Sequence, residues 1–163
     1  MPWGILLLFG GGFALADAIA GSGLSLWIGA QAGFLAGLPP LVLIGGTAFA
    51  LTFLTEVTSN TATAQVMLPV AAAIATSTVG VDPLLLMLPV TLAASFAFML
   101  PVATPPNAVI FGSGCVSMRT MMRRGLWLNL ASILVLTLMV WLLGPLIFGI
   151  DLHGGVPPWA AGK

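Results

Sequence analysis

"LTEVTSNTATAQVMLPV", residues 54–70, clusters seven polar side chains over 55–63, those of Thr55, Glu56, Thr58, Ser59, Asn60, Thr61 and Thr63, inside a run that is apolar on both sides. The rest of the chain sharpens the contrast. It has 163 residues, of which 60% are hydrophobic and 5% charged, and a mean hydropathy of +1.17. A soluble domain carries about 25% charged residues to cover its surface. Eight charges in 163 residues do not cover one. Several runs approach the ~20 apolar residues that cross a bilayer as a helix. The composition therefore gives an all-α polytopic membrane protein with lipid as its main solvent.

The same composition excludes several functions. With zero net charge and no basic face, nothing points to a nucleic acid partner. Cys115 has no second cysteine with which to form a disulfide, and with one histidine, His153, the usual zinc or iron ligand sets cannot be assembled. Residues 1–21 end in "ALADAIAG", which looks faintly like a signal-peptide cleavage site. No positive region precedes it, so a membrane helix is the reading.

Residues 2–20 form that first apolar helix, in which Gly10, Gly11 and Gly12 let a neighbour approach and Asp17 reaches the interface. Residues 22–37 are shorter and less apolar, with Trp27 suited to the interface and Gly29, Gly33 and Gly37 on one helical face. They read as an interfacial helix, or as a loop with one helical turn. "LPP" at 38–40 breaks the chain, and "TSTVGVDP" at 76–83 reads as a loop. Arg119, Arg123 and Arg124 fall in a loop over 115–125, between two apolar segments. The positive-inside rule makes that loop cytoplasmic, the Asp82 loop external, residues 126–150 an outward span and the polar tail 151–163 external.

Two apolar segments are interrupted. Residues 41–75 are either two crossings joined by a polar turn, or a re-entrant hairpin whose tip lies at membrane depth. Residues 84–114 exceed one span and contain "LPVATPPN" at 100–107, which is either a proline kink or a true break. Thr104 and Pro105 make a good helix start, so one helix is expected to end near Leu100 and another to begin near Pro105. The first segment has the same grammar, with a helix ending near Val57 and another starting after Ser59, Asn60 and Thr61. At each break the new helix is expected to offer free N–H groups to an anion, and the old helix free carbonyls to Na⁺. Paired broken helices of this kind mark a transporter's substrate and ion sites.

"TEVTSNTATAQVMLPV" and "MLPVATPPNAVIFGSG" resemble the second-repeat signatures of the divalent anion:sodium symporter family, the dicarboxylate transporters of solute carrier family 13. "LLLFGGGFALADAI" and "SGLSLWIG" resemble the segment that precedes them. The resemblance implies the C-terminal inverted repeat of an elevator-type transporter. Its elements would be a scaffold helix (2–20), an arm helix (22–37), a re-entrant hairpin (40–78), a broken transmembrane helix (83–114) and a final span (126–150). The transport half would cover 38–114, and an N-terminal repeat of the same transporter would complete the site. The family further implies a homodimer in the cell membrane, with Na⁺ as coupling ion and no organic cofactor. The substrate would be a small anion, a dicarboxylate, citrate or sulfate. By the same resemblance Ser59, Asn60, Thr61, Thr104 and Pro105 would hold the substrate, and Na⁺ would sit among Thr55, Thr58, Asn60 and Ala103.

Glu56 would repel an anionic substrate, so it is assigned to hairpin structure or to indirect support of the cation. Gln65 and Asn107 read as packing hydrogen-bonders, and the methionines as lipid-facing or core filler. A sodium-independent exchanger, an anion channel and a non-transporting membrane subunit are the rivals. An enzyme is not expected. Ser59 or Thr61 as a nucleophile would need a base, and the single histidine and lysine lie in the tail.

Overall fold

The computed structural model describes residues 3–152 and 155–160, so His153 and Lys163 of the tail lie outside the described residues. Among the described residues the chain is helical, with no strand. Helices satisfy every backbone group within the segment, as a hydrocarbon solvent demands. In chain order they are α1 (Trp3–Gly21), α2 (Leu24–Gln31, followed by the 3₁₀ turn Ala32–Leu35), α3 (Pro40–Thr55), α4 (Asn60–Ala73, running on into a π-helical turn, Ile74–Val79), α5 (Leu84–Ala93), α6 (Pro105–Gly112) and α7 (Met118–Phe148).

The ends of these helices follow from local chemistry. Pro40 opens α3, where its missing N–H costs nothing. α2 stops at Gln31, so Gly29, Gly33 and Gly37 do not share a helical face: Gly33 lies in the 3₁₀ turn and Gly37 turns the chain at φ 87°. Residues 76–79, read as loop, are helical. They form part of a π-helical turn, in which the Thr76 and Ser77 hydroxyls donate to the Ala72 and Ala73 carbonyls, at 3.0 and 2.5 Å. Gly80, at φ 74°, ends it, and Asp82 Oδ1 accepts from Leu84 N at 2.9 Å to start α5.

The core lies where α3, α4, α5 and α7 meet. Leu43, Ile44, Ala48 and Leu51 of α3 pack with Leu85, Leu86, Val90 and Ala93 of α5, Ala71 of α4, and Leu136 and Val140 of α7. α7 buries Met121, Gly125, Asn129, Leu136, Val140 and Gly144 on one face. Its other face exposes Trp127, Leu134, Leu146 and Ile147. In water that face would be polar; here it is an apolar surface for lipid. The 31 residues of α7 extend about 46 Å, well beyond the ~30 Å hydrocarbon core. Arg119, Arg123 and Arg124 lie in its first two turns, not in a loop over 115–125. The 20 residues from Asn60 to Val79 are also long and apolar enough to cross a membrane. α3 and α5 are not: with 16 and 10 residues they reach about 24 and 15 Å.

Two stretches of irregular backbone therefore interrupt the helical core. One is short, residues 56–59 between α3 and α4. The other is residues 94–104 between α5 and α6, and α5 ends at Ala93, seven residues before the expected stop near Leu100.

Candidate functional site

The first break is built by side chains that bond back to their own helix ends. Thr58 Oγ1 lies 2.8 Å from Leu54 O and 2.6 Å from Thr63 Oγ1, which gives Thr63, unassigned from sequence, a structural place. Thr55, fully buried, points its Oγ1 at Ala94 O (2.8 Å) and at Asn60 Oδ1 (2.5 Å). One hydroxyl proton cannot serve two acceptors. The set is satisfied when a small cation joins the three oxygens, or when the Asn60 amide presents Nδ2 instead. Ser59 is extended at the N-cap of α4 and its side chain makes no cap bond. The first-turn N–H groups of α4 thus lack a side-chain acceptor as well as a helical one.

The second break is made by the first. Glu56, only 3% exposed, turns its carboxylate inward. Oε1 accepts from Phe98 N (2.8 Å), Met99 N (2.9 Å) and Asn129 Nδ2 (2.7 Å), and Oε2 accepts from Leu100 N at 3.0 Å. These amides would otherwise extend α5. The helical acceptor for Phe98 N is Ala94 O, and Thr55 already occupies it. Pro101 has no N–H with which to resume. This is why α5 stops at Ala93, before the prolines that the sequence reading took as the breakers. Asn107 closes the loop from the far side, its Nδ2 donating to Ala97 O (2.8 Å) and Leu100 O (3.0 Å). From α7, a Cβ at Gly125 would fall within 2.6 Å of Met99 Cα and against the Phe98 carbonyl.

These bonds correct the expectation that both breaks offer the same free groups. Pro105 and Pro106 carry no N–H, and Thr104 Oγ1 accepts from Asn107 N at 3.4 Å, so the first turn of α6 has no donor left. α4 alone presents free first-turn N–H groups. The carbonyls after α5 are used in part. Those of Ala94, Ala97 and Leu100 accept hydrogen bonds, while the Val102 and Ala103 carbonyls beside the cleft accept none among the described residues.

The two breaks face each other across a cleft of about 530 Å³, lined by Val57, Thr58, Ser59, Asn60, Thr61, Val102, Ala103, Thr104 and Pro105. Of the sequence-selected residues, seven line it, and Thr55 lies buried behind Asn60. Val57 and Val102, 70% and 82% exposed, were not anticipated; they are apolar neighbours of the polar tips. Glu56 does not line the cleft. Asn129 was also missed. Its signal was present, a single amide within the apolar run "WLNLASILVL".

Residues 1–150 match the family described as the sodium:sulfate symporter transmembrane region. Proteins described as sodium-dependent dicarboxylate transporter SdcS, from Staphylococcus saprophyticus and from Staphylococcus aureus, are 49% identical to this chain over 157 residues. The alignments cover 96% of this chain and 30% of each relative, so the chain spans about a third of their length. The family and these relatives are transporters rather than enzymes. With nearly its whole length matched, this all-helical chain belongs to the sodium:sulfate symporter family of integral membrane transporters.

Proposed function

We propose that this chain supplies one half of the binding site of a secondary active transporter, which couples the uptake of a small dicarboxylate to Na⁺. The observation that carries the reading is the cleft, where the uncapped start of α4 meets the Thr104–Pro105 start of α6. Free N–H groups and the positive end of a helix favour an anion there. In this reading Ser59, Asn60, Thr61, Thr104 and Pro105 hold one carboxylate. Na⁺ sits below, among Asn60 Oδ1, the Ala103 carbonyl and the backbone around Thr55 and Thr58. The names of the relatives favour a dicarboxylate, while the family's description keeps sulfate as the rival substrate.

The remaining features follow the same reading. α3 is too short to cross and, with α4, forms a re-entrant hairpin; α5 and α6 are the halves of one broken helix. The arginines of α7 face the cytoplasm. An N-terminal repeat of the same transporter supplies a second hairpin tip, and the complete protein is a dimer in the cell membrane. Na⁺ binds first and orders the tip, and the transport half then carries the occupied site across. Uptake of labelled succinate by proteoliposomes of the intact transporter tests this. Asn60→Ala and Thr61→Ala should each abolish Na⁺-driven uptake, and near-normal uptake by both would sink the assignment. Na⁺-driven uptake of labelled sulfate but not of labelled succinate would move the substrate to the rival.

A further inference from the structure

We propose that Glu56 is a positioning residue: its carboxylate sets the distance between the two walls of the cleft by acting as the helix-breaking acceptor for residues 98–100. The inference rests on the transport reading above for its kinetic consequence, though not for its geometry.

The cleft has two walls, residues 57–61 and residues 102–105. Each wall begins within two residues of the same buried node. On one side Glu56 is followed directly by Val57. On the other, Leu100 is separated from Val102 by Pro101 alone. Between them stand the bonds of Glu56 to three consecutive amides, 2.8–3.0 Å long. Thr55, the neighbour of Glu56, takes the Ala94 carbonyl. Two adjacent residues of the hairpin thus capture both the acceptor and the donors that the next turn of α5 would use. The loop's own turn bonds, Ser95 N to Leu92 O, Phe96 N to Ala93 O and Ala103 N to Leu100 O, use none of the three amides. Asn107 bonds two of the loop's carbonyls, those of Ala97 and Leu100, but none of the three amides.

Asn129 of α7 completes the node from a third direction, donating to the same Oε1 at 2.7 Å. The Glu56 carboxylate accepts four hydrogen bonds in all and is buried. It does not line the cleft, so an anion in the cleft meets the tips and not this group. A glutamate fits the task because a carboxylate has acceptor sites on both oxygens and no donor of its own. Glutamine would turn an N–H₂ group toward amides that also donate. Aspartate is one methylene short of reaching them from the same backbone.

The test uses the intact transporter. In Glu56→Gln, hydrogen exchange of peptides covering 95–104 should speed up by ~10-fold or more, while peptides from the α7 segment 130–148 keep their protection. The Na⁺ concentration for half-maximal uptake should rise by a similar ~10-fold, with a smaller change in maximal rate. Fewer folded molecules would lower the maximal rate alone. Asn129→Ala, which leaves the three amide bonds in place, should give the same pattern at smaller amplitude and guards against a Glu56 variant that does not fold. Wild-type exchange over 95–104 in both variants would overturn the proposal. So would accelerated exchange with an unchanged Na⁺ dependence. The exchange readout needs no transport, so the loss of the carboxylate clamp and the failure of the substrate assignment are separable results.

Discussion

Glu56 Oε1 lies 2.7 Å from the side-chain nitrogen of Asn129, a bond that spans 73 residues of sequence and ties the end of α3 to the middle of α7. Both residues are buried, Asn129 completely. Asn129→Asp would set a second carboxylate against the first, with no cation among the described neighbours to offset it. The expected loss of stability is about 3 kcal/mol. Asn129→Leu keeps the volume and loses one charge-assisted bond, at about 1–2 kcal/mol. Denaturant or thermal unfolding of the detergent-solubilised transporter measures both. Equal losses would mean that a second carboxylate adds no penalty beyond the lost amide bond.

Gly125 is where α7 touches the loop. A methyl group there meets the Phe98 carbonyl and Met99 Cα, and both are backbone atoms that cannot rotate away. Gly125→Ala should therefore cost about 2–3 kcal/mol as overpacking. Gly12 makes the useful contrast. The three atoms nearest a Cβ there belong to the Gln65 side chain, from 2.6 Å, and not to backbone. Gly12→Ala should cost less than Gly125→Ala in the same unfolding assay, and the reverse order would contradict the contact geometry.

Thr52 sits one turn before Glu56, fully buried, and its Oγ1 has no hydrogen-bond partner among the described residues. A buried hydroxyl without a partner costs about 1–3 kcal/mol. Thr52→Val has nearly the same shape and removes that cost. The variant should be as stable as the parent or up to about 1–2 kcal/mol more so. A clear loss in the melting curve would reveal a partner for the hydroxyl, such as a bound water.

The pattern of success in reading the sequence has a physical cause. The helix starts at Pro40 and Pro105 were legible because proline's fixed φ and missing N–H act locally. The Thr104–Pro105 turn was legible for the same reason, as cap chemistry inside an apolar run; the break at the polar tip was legible in outline, though α3 ends at Thr55 and α4 begins at Asn60, two residues earlier than expected at each end. The true end of α5 was not. It is decided by Thr55 and Glu56, 39 to 44 residues away, which take groups the helix would have used. Local grammar assigned the stop to Pro101 and therefore placed it late. Asn129 was overlooked because its partner lies 73 residues back, and no spacing rule connects the two. The lack of donors at the start of α6 was legible, since two prolines carry no N–H, but an analogy between the breaks obscured it.

Thr55 gives the sharpest test of the proposed cation site. Its hydroxyl stands 2.5 Å from Asn60 Oδ1 and 2.8 Å from Ala94 O, so it fixes the Asn60 amide relative to the second break. Thr55→Val keeps the branched shape, removes the hydroxyl and frees the amide to rotate. If Asn60 Oδ1 coordinates Na⁺, the Na⁺ concentration for half-maximal uptake should rise about tenfold, the equivalent of about 1.4 kcal/mol. Thr55→Ser restores the hydroxyl without the methyl group and should return the Na⁺ dependence to within about threefold of the parent, a shift of about 0.6 kcal/mol. Isotope uptake at graded Na⁺, held at constant ionic strength, separates the variants. Valine behaving like the parent would show that the branched shape, and hence packing, is all that the position supplies, and the hydroxyl would lose its role in the cation site.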